Sequence, residues 1–129
     1  MKTTSILGII TAGLATAFLS GCFAAAVGAG AGTVAYVRGD LVVTEAAGLE
    51  NVHDAALKAV HDLDLNLISQ KKDALSGEIT ARDIKDKKIQ IKLAAVTDET
   101  TKVSIRIGTF GDETKSRVIY EKIRENLGK

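Results

Sequence analysis

Lys88-Ile89-Gln90-Ile91-Lys92-Leu93 and, one turn later, Lys102-Val103-Ser104-Ile105-Arg106-Ile107 alternate polar and apolar residues without a break. Successive side chains of a strand point to opposite faces, so each segment carries its aliphatic residues on one side only. Thr97-Asp98-Glu99-Thr100 supplies a turn between them. Two half-apolar strands joined this tightly pair antiparallel, with one face to be covered and the other left to solvent.

Upstream, Leu65-Asn66-Leu67-Ile68-Ser69-Gln70 and Ala74-Leu75-Ser76-Gly77-Glu78-Ile79-Thr80-Ala81-Arg82 read as two further strands. Lys71-Lys72-Asp73 turns between them, and Asp83-Ile84-Lys85-Asp86-Lys87 leads into Lys88. Before these strands, Leu49, Val52, Ala56, Val60 and Leu63 recur at steps of three and four. That spacing predicts a helix from Leu49 to about Asp62, favoured further by Ala55, Ala56 and Ala59. Thr33 to Thr44 is rich in β-branched and aromatic residues and reads as one strand, with Gly39 as a bulge or turn. Downstream, Gly108-Thr109-Phe110-Gly111 breaks the alternation. Asp112 then suits an N-cap and Glu113 the positive end of a helix dipole. This second helix runs to about Asn126, burying Ser116, Ile119, Ile123 and Leu127 with Val118 and Tyr120 alongside, and Gly128 stops it. The order strand, helix, four strands, helix defines an α+β domain. Its antiparallel sheet has about five strands, with two helices packed on one face.

Near the N-terminus, Met1-Lys2 precedes an apolar run from Ile6 to Phe18, followed by Leu19-Ser20-Gly21-Cys22. The run has the length of a secretory signal and falls short of the about 20 residues of a membrane-spanning helix. These residues resemble a bacterial lipoprotein signal ending in a lipobox. The resemblance implies that the Cys22 thiol takes a diacylglyceryl group, that the signal is cut before Cys22, and that the new α-amine is acylated. Two or more chains anchor stably where one is marginal, at about 0.8 kcal/mol per buried methylene. Phe23 follows where Asp would retain such a lipoprotein in the inner membrane, so the implied location is the outer membrane, facing the periplasm. A chance cysteine after an ordinary signal, or an uncleaved anchor in the uncharged stretch between Lys2 and Arg38, are the bland alternatives.

The division that follows is a signal peptide at 1–21, a lipidated Ala/Gly-rich tether at 22–35, and one small domain at 36–129. Within the tether, Ala24, Gly28 and Gly32 are spaced four apart, as in closely packed membrane helices. A flexible link is the alternative. The Gly/Ala segment leads into Thr33-Val34-Ala35-Tyr36-Val37-Arg38-Gly39-Asp40-Leu41. With Asp73-Ala74-Leu75-Ser76-Gly77 and Val103-Ser104-Ile105-Arg106-Ile107-Gly108-Thr109-Phe110-Gly111-Asp112, the whole is similar to a family of small, functionally uncharacterised bacterial lipoproteins. That resemblance brings no activity and no catalytic residues.

The chain carries 17 basic and 16 acidic residues, and the signal removes one lysine, so the mature chain is balanced and has no charge excess for nucleic acid. Cys22 is the only cysteine. Once lipidated it leaves no thiol for a disulfide or a thiolate metal site. There is no tryptophan, and Tyr36, Phe110 and Tyr120 are the only aromatics after Phe23, a poor set for stacking bases or sugars.

Histidine occurs at His53 and His61 only. On one helix they differ by roughly 80° and about 12 Å, which is unsuited to a shared metal. A solvated helix face is the plain reading of both. No nucleophile elbow, Cys–His pair or metalloprotease motif occurs. No catalytic, cofactor-binding or metal residue is therefore expected, and Cys22 is the one site residue. Lys88, Lys92, Ser104 and Arg106, with Gln90 between them, fall on the outer sheet face. They make either a basic patch for an anionic partner or an ordinary wet surface, with Glu78 and Asp86 near enough to neutralise it. The expectation is a non-enzymatic envelope lipoprotein held in the membrane through Cys22, with an envelope protein or peptidoglycan as partner. The alternative is a small-ligand or lipid-binding periplasmic module with an apolar pocket between helices and sheet.

Overall fold

The computed structural model describes residues 34–129. The signal, Cys22 and the small-residue run at Ala24, Gly28 and Gly32 lie outside the described residues. Six strands and two helices follow one another: β1 Val34–Val37, β2 Asp40–Glu45, α1 Leu49–Asp62, β3 Asn66–Lys72, β4 Ser76–Arg82, β5 Lys88–Thr97, β6 Thr100–Ile107 and α2 Glu113–Asn126. All strand pairs are antiparallel, in the spatial order β1-β2-β6-β5-β4-β3.

The fold is α+β, but the expected sheet of about five strands has six. The segment read as one strand through Gly39 is a hairpin: Val34 pairs with Val43 and Val37 with Asp40. The reversal takes two residues, Arg38 at φ 53° and Gly39 at φ 89°. Positive φ at both positions is the turn geometry whose twist matches flanking strands. Its usual sequence mark is Asn-Gly or Asp-Gly, and Arg-Gly hid it.

Register runs straight across the sheet. Leu41 faces Ile105, Ile105 faces Ile91 and Ile91 faces Ile79. All four are fully buried, so one pleat face forms the floor of the core. The roof is Val52, Ala55, Ala56, Ala59 and Val60 of α1 with Ile119, Tyr120 and Ile123 of α2. α1 lies over β4 and β5, and α2 over β6 and β2, so both helices cover the same face. The helix bounds and Asp112 follow the sequence reading; the Asp112 carboxylate accepts from the Lys115 amide at 3.1 Å. Val118 departs from it, being half exposed beside the stripe.

α1 closes on Asp64 at φ 54°, with the Leu65 amide donating to the Val60 carbonyl at 3.0 Å and the Asp64 amide to His61 at 3.1 Å. α2 ends the same way on Gly128, where the Lys129 amide donates to Arg124 at 3.0 Å. This six-to-one bond consumes carbonyls that a helix end leaves free.

Candidate functional site

The outer face of the sheet carries Asp40, Val42 and Thr44 from β2, Lys102, Ser104 and Arg106 from β6, and Lys88, Gln90, Lys92 and Ala94 from β5. It continues through Ser76, Glu78, Thr80 and Arg82 of β4. Neither described helix covers it, because both lie on the other side. The face is concave, enclosing an open groove of about 690 Å³ against Lys71, Ser76, Glu78, Lys92, Lys102 and Ser104. A smaller depression of about 190 Å³ lies beside it over Asp40, Gln90 and Arg106.

The basic residues expected there divide into two kinds. Arg106 is a structural clamp: its guanidinium donates to the Arg38 carbonyl at 2.9 Å, the Asp40 carboxylate at 3.0 Å and the Thr109 carbonyl at 2.6 Å. It ties the β1–β2 turn to the loop before α2, and its charge is spent inside the protein. Lys88 and Lys92 stand exposed and form no ion pair among the described residues. Asp86 pairs with Arg82 at 3.5 Å, and Glu78 accepts from the Gln90 amide nitrogen at 2.9 Å.

Two lysines missed by the sequence reading join the groove. Lys102 shares the polar phase of Ser104 and Arg106, so the alternation itself marks it. Lys71 was hidden because β3 extends through the segment read as a turn. Lys71 and Lys92 both face Glu78 across neighbouring strands, while Lys102 faces Ala94. Strand spacing of about 4.8 Å puts Lys71 and Lys92 roughly 10 Å apart at the backbone. Such a spread suits a partner carrying several separated negative charges better than one small anion.

The inner layer holds polar groups of a different kind. His53, read as solvated, is buried and its Nε2 has no hydrogen-bond partner. It fits because Gly77 lies beneath it: a Cβ there would stand 3.2 Å from the His53 ring carbon. Burial, helped by nearby Lys72, holds the His53 pKa below its ordinary 6.5. The neutral ring is thus the native form. The unfolded chain takes up a proton as pH falls through 6.5 and the folded chain resists, so this share of stability is present above 6.5 and lost below it. Melting temperature should fall between pH 7 and about 5, with a slope limited to about 1.4 kcal/mol per pH unit. His53→Met should flatten that part of the profile; an unchanged profile would assign it elsewhere.

Glu45, also missed, continues the inward phase of β2 past Val43 and is buried. It accepts a short hydrogen bond from the Tyr120 hydroxyl and pairs with Lys129 at 3.3 Å and Arg124 at 3.9 Å. Burial, then the Glu45 bond, raises the Tyr120 pKa well above its ordinary value of 10.0. This cluster fastens the end of α2 to the sheet, and the groups are mutually satisfied. Nothing in its sequence pattern announced it, because an acidic residue at a strand end usually marks the rim.

Between helices and sheet, Val52, Ala56, Ile91, Ile105 and Ile123 are fully buried. An apolar cleft of about 220 Å³ remains at one end of the layer, over Leu65, Ile84, Ile89, Ile107 and Ile119. Drug-sized ligand pockets are usually about 300–1,000 Å³. Among the described residues, no three histidine, cysteine or acidic side chains converge to hold a metal. No described helix is long and apolar enough to cross a membrane.

Fold and surface define a small two-layer α+β domain whose sheet face opposite the two described helices is concave and lysine-bearing. The chain belongs to the family described as protein of unknown function DUF3568, matched over residues 5–126. No curated protein matches the sequence.

Proposed function

We propose that this chain is a bacterial envelope lipoprotein with a non-enzymatic structural or interaction role. Cys22 carries the lipid, and the α+β domain faces the periplasm from the outer membrane. The observation behind the reading is Leu19-Ser20-Gly21-Cys22 after a signal-length apolar run. It accounts at once for the single cysteine and the apolar beginning. The role of the domain as a contact surface is supported by its open, lysine-bearing sheet face. An envelope protein or peptidoglycan is the partner class to seek, and crosslinking in intact cells is the way to seek it. As an apolar pocket between helices and sheet, the small-ligand alternative would use the cleft near Ile107, which at about 220 Å³ is small for the purpose.

Cys22→Ser removes the acceptor thiol. The expected result is a chain that leaves the membrane fraction or accumulates with its signal uncut, read by fractionation and by a mass lacking the diacylglyceryl group. Unchanged processing and retention would show that Cys22 is not the anchor.

A further inference from the structure

We infer that the concave outer face of the sheet lies against the anionic headgroups of the membrane that holds the chain, so that the domain rests on the bilayer. The inference depends on the Cys22 anchor proposed above. Lys71, Lys92 and Lys102 carry it, with the small side chains of Ser76, Ala94 and Ser104 between them.

Three observations converge. First, no described element covers this face, while two helices seal the other. Second, cations outnumber carboxylates among its charges without an ion pair. Lys71, Lys92 and Lys102 are exposed and form no ion pair among the described residues. Of the acidic groups nearby, Asp40 is paired with Arg106, while Glu78 and Asp73 accept from neutral amides and keep their charge. Third, the chain enters the sheet at the same end. Val34 pairs with Val43, which faces Val103, the residue next to Lys102. The twelve peptide steps from Cys22 to Val34 reach at most about 40 Å. A strand as long as β5 spans about 34 Å. The anchor therefore keeps the face within reach of the headgroups.

Lysines spread over strands about 5 Å apart meet a plane of separate phosphates more readily than one converging ligand. Each lysine held at an anionic leaflet strengthens attachment about fivefold, and the charged Glu78 and Asp73 offset part of what the three lysines contribute together. Screening by salt weakens this, because the pairs are exposed.

The test uses the lipidated full-length chain in phosphatidylcholine vesicles with and without phosphatidylglycerol. Lipidation consumes Cys22, so an introduced cysteine is the only free thiol. A fluorophore is placed at Ala94→Cys, on the face, or at Lys58→Cys, on the exposed side of α1. On phosphatidylglycerol vesicles, quenching by acrylamide should drop several-fold at position 94 and stay unchanged at position 58. High salt, or Lys71→Gln, Lys92→Gln and Lys102→Gln together, should restore it while the melting temperature holds. A chain that floats with the vesicles yet leaves position 94 as open as position 58 overturns the docking alone. A chain that does not float overturns the anchor and the docking with it. Protection that persists without vesicles, and grows with protein concentration, would assign the face to a second copy and overturn the membrane as occupant.

Discussion

Gly111→Ala should lower the melting temperature by about 10–20 °C, the equivalent of about 3 kcal/mol in a domain of this size. Gly111 has φ 82°, where a side chain costs about 1–2 kcal/mol by itself. A Cβ there would also fall on the Gly39 carbonyl oxygen, and would lie 2.6 Å from the Gly39 Cα and 2.6 Å from the Tyr36 hydroxyl. Backbone cannot swing aside as a lysine would. Gly39 is placed reciprocally: at φ 89°, its Cβ would stand 2.7 Å from the Phe110 carbonyl. The two glycines let the β1–β2 turn touch the loop before α2, and the Arg106 guanidinium spans the joint. Gly108 is the control. It has φ 68° with nothing within 4 Å, so Gly108→Ala costs the conformational part alone. Equal melting temperatures for the two variants would refute the close approach.

The second large effect is in the middle of the sheet. Ile105→Ala should cost about 4 kcal/mol, since emptying a rigid core site loses both transfer energy and packing. Ile105 is 0 % exposed on β6, between Leu41 and Ile91, and α2 packs over β6. Domains of this size are stable by only about 5–15 kcal/mol, so the fraction lost is large. Urea denaturation should show a lower midpoint with an unchanged slope, meaning that stability changed and not the state unfolded to. Ile84→Ala, at a residue 96 % exposed, should shift the midpoint little. A small shift for Ile105→Ala would mean the layer can collapse around the gap.

The parts of this fold that were readable are those where burial and period agree. β5 and β6 alternate because one face is roofed and the other is wet, and the α1 stripe of Val52, Ala56 and Val60 is written at helical spacing. What escaped reading depends on partners distant in sequence. Gly39 was readable as a bulge or turn, but not the hairpin with positive φ at Arg38 as well, against which the loop at Phe110 and Gly111 packs. His53 is buried because Gly77 leaves room for its ring, and Glu45 because Tyr120 and Lys129 reach it from the last helix. The basic face was half visible: the phase of β5 and β6 exposed Lys92, but phase does not tell that Arg106 is occupied by carbonyls. Lys71 became part of it only through a strand that runs longer than its apolar residues suggest.

The strand order has a consequence for how the molecule is made. Leu41 of β2 meets Ile105 of β6, and β6 also meets β5, so one late strand joins the first hairpin to the three strands β3, β4 and β5. A chain emerging N-terminus first can pair β1 with β2, and β3 with β4 and β5, but the two pieces stay separate until β6 follows. Long-range pairing of this sort is slow to close. The core thus closes only once β6 and α2 have followed the earlier strands, so the domain stays open until its own last elements are made.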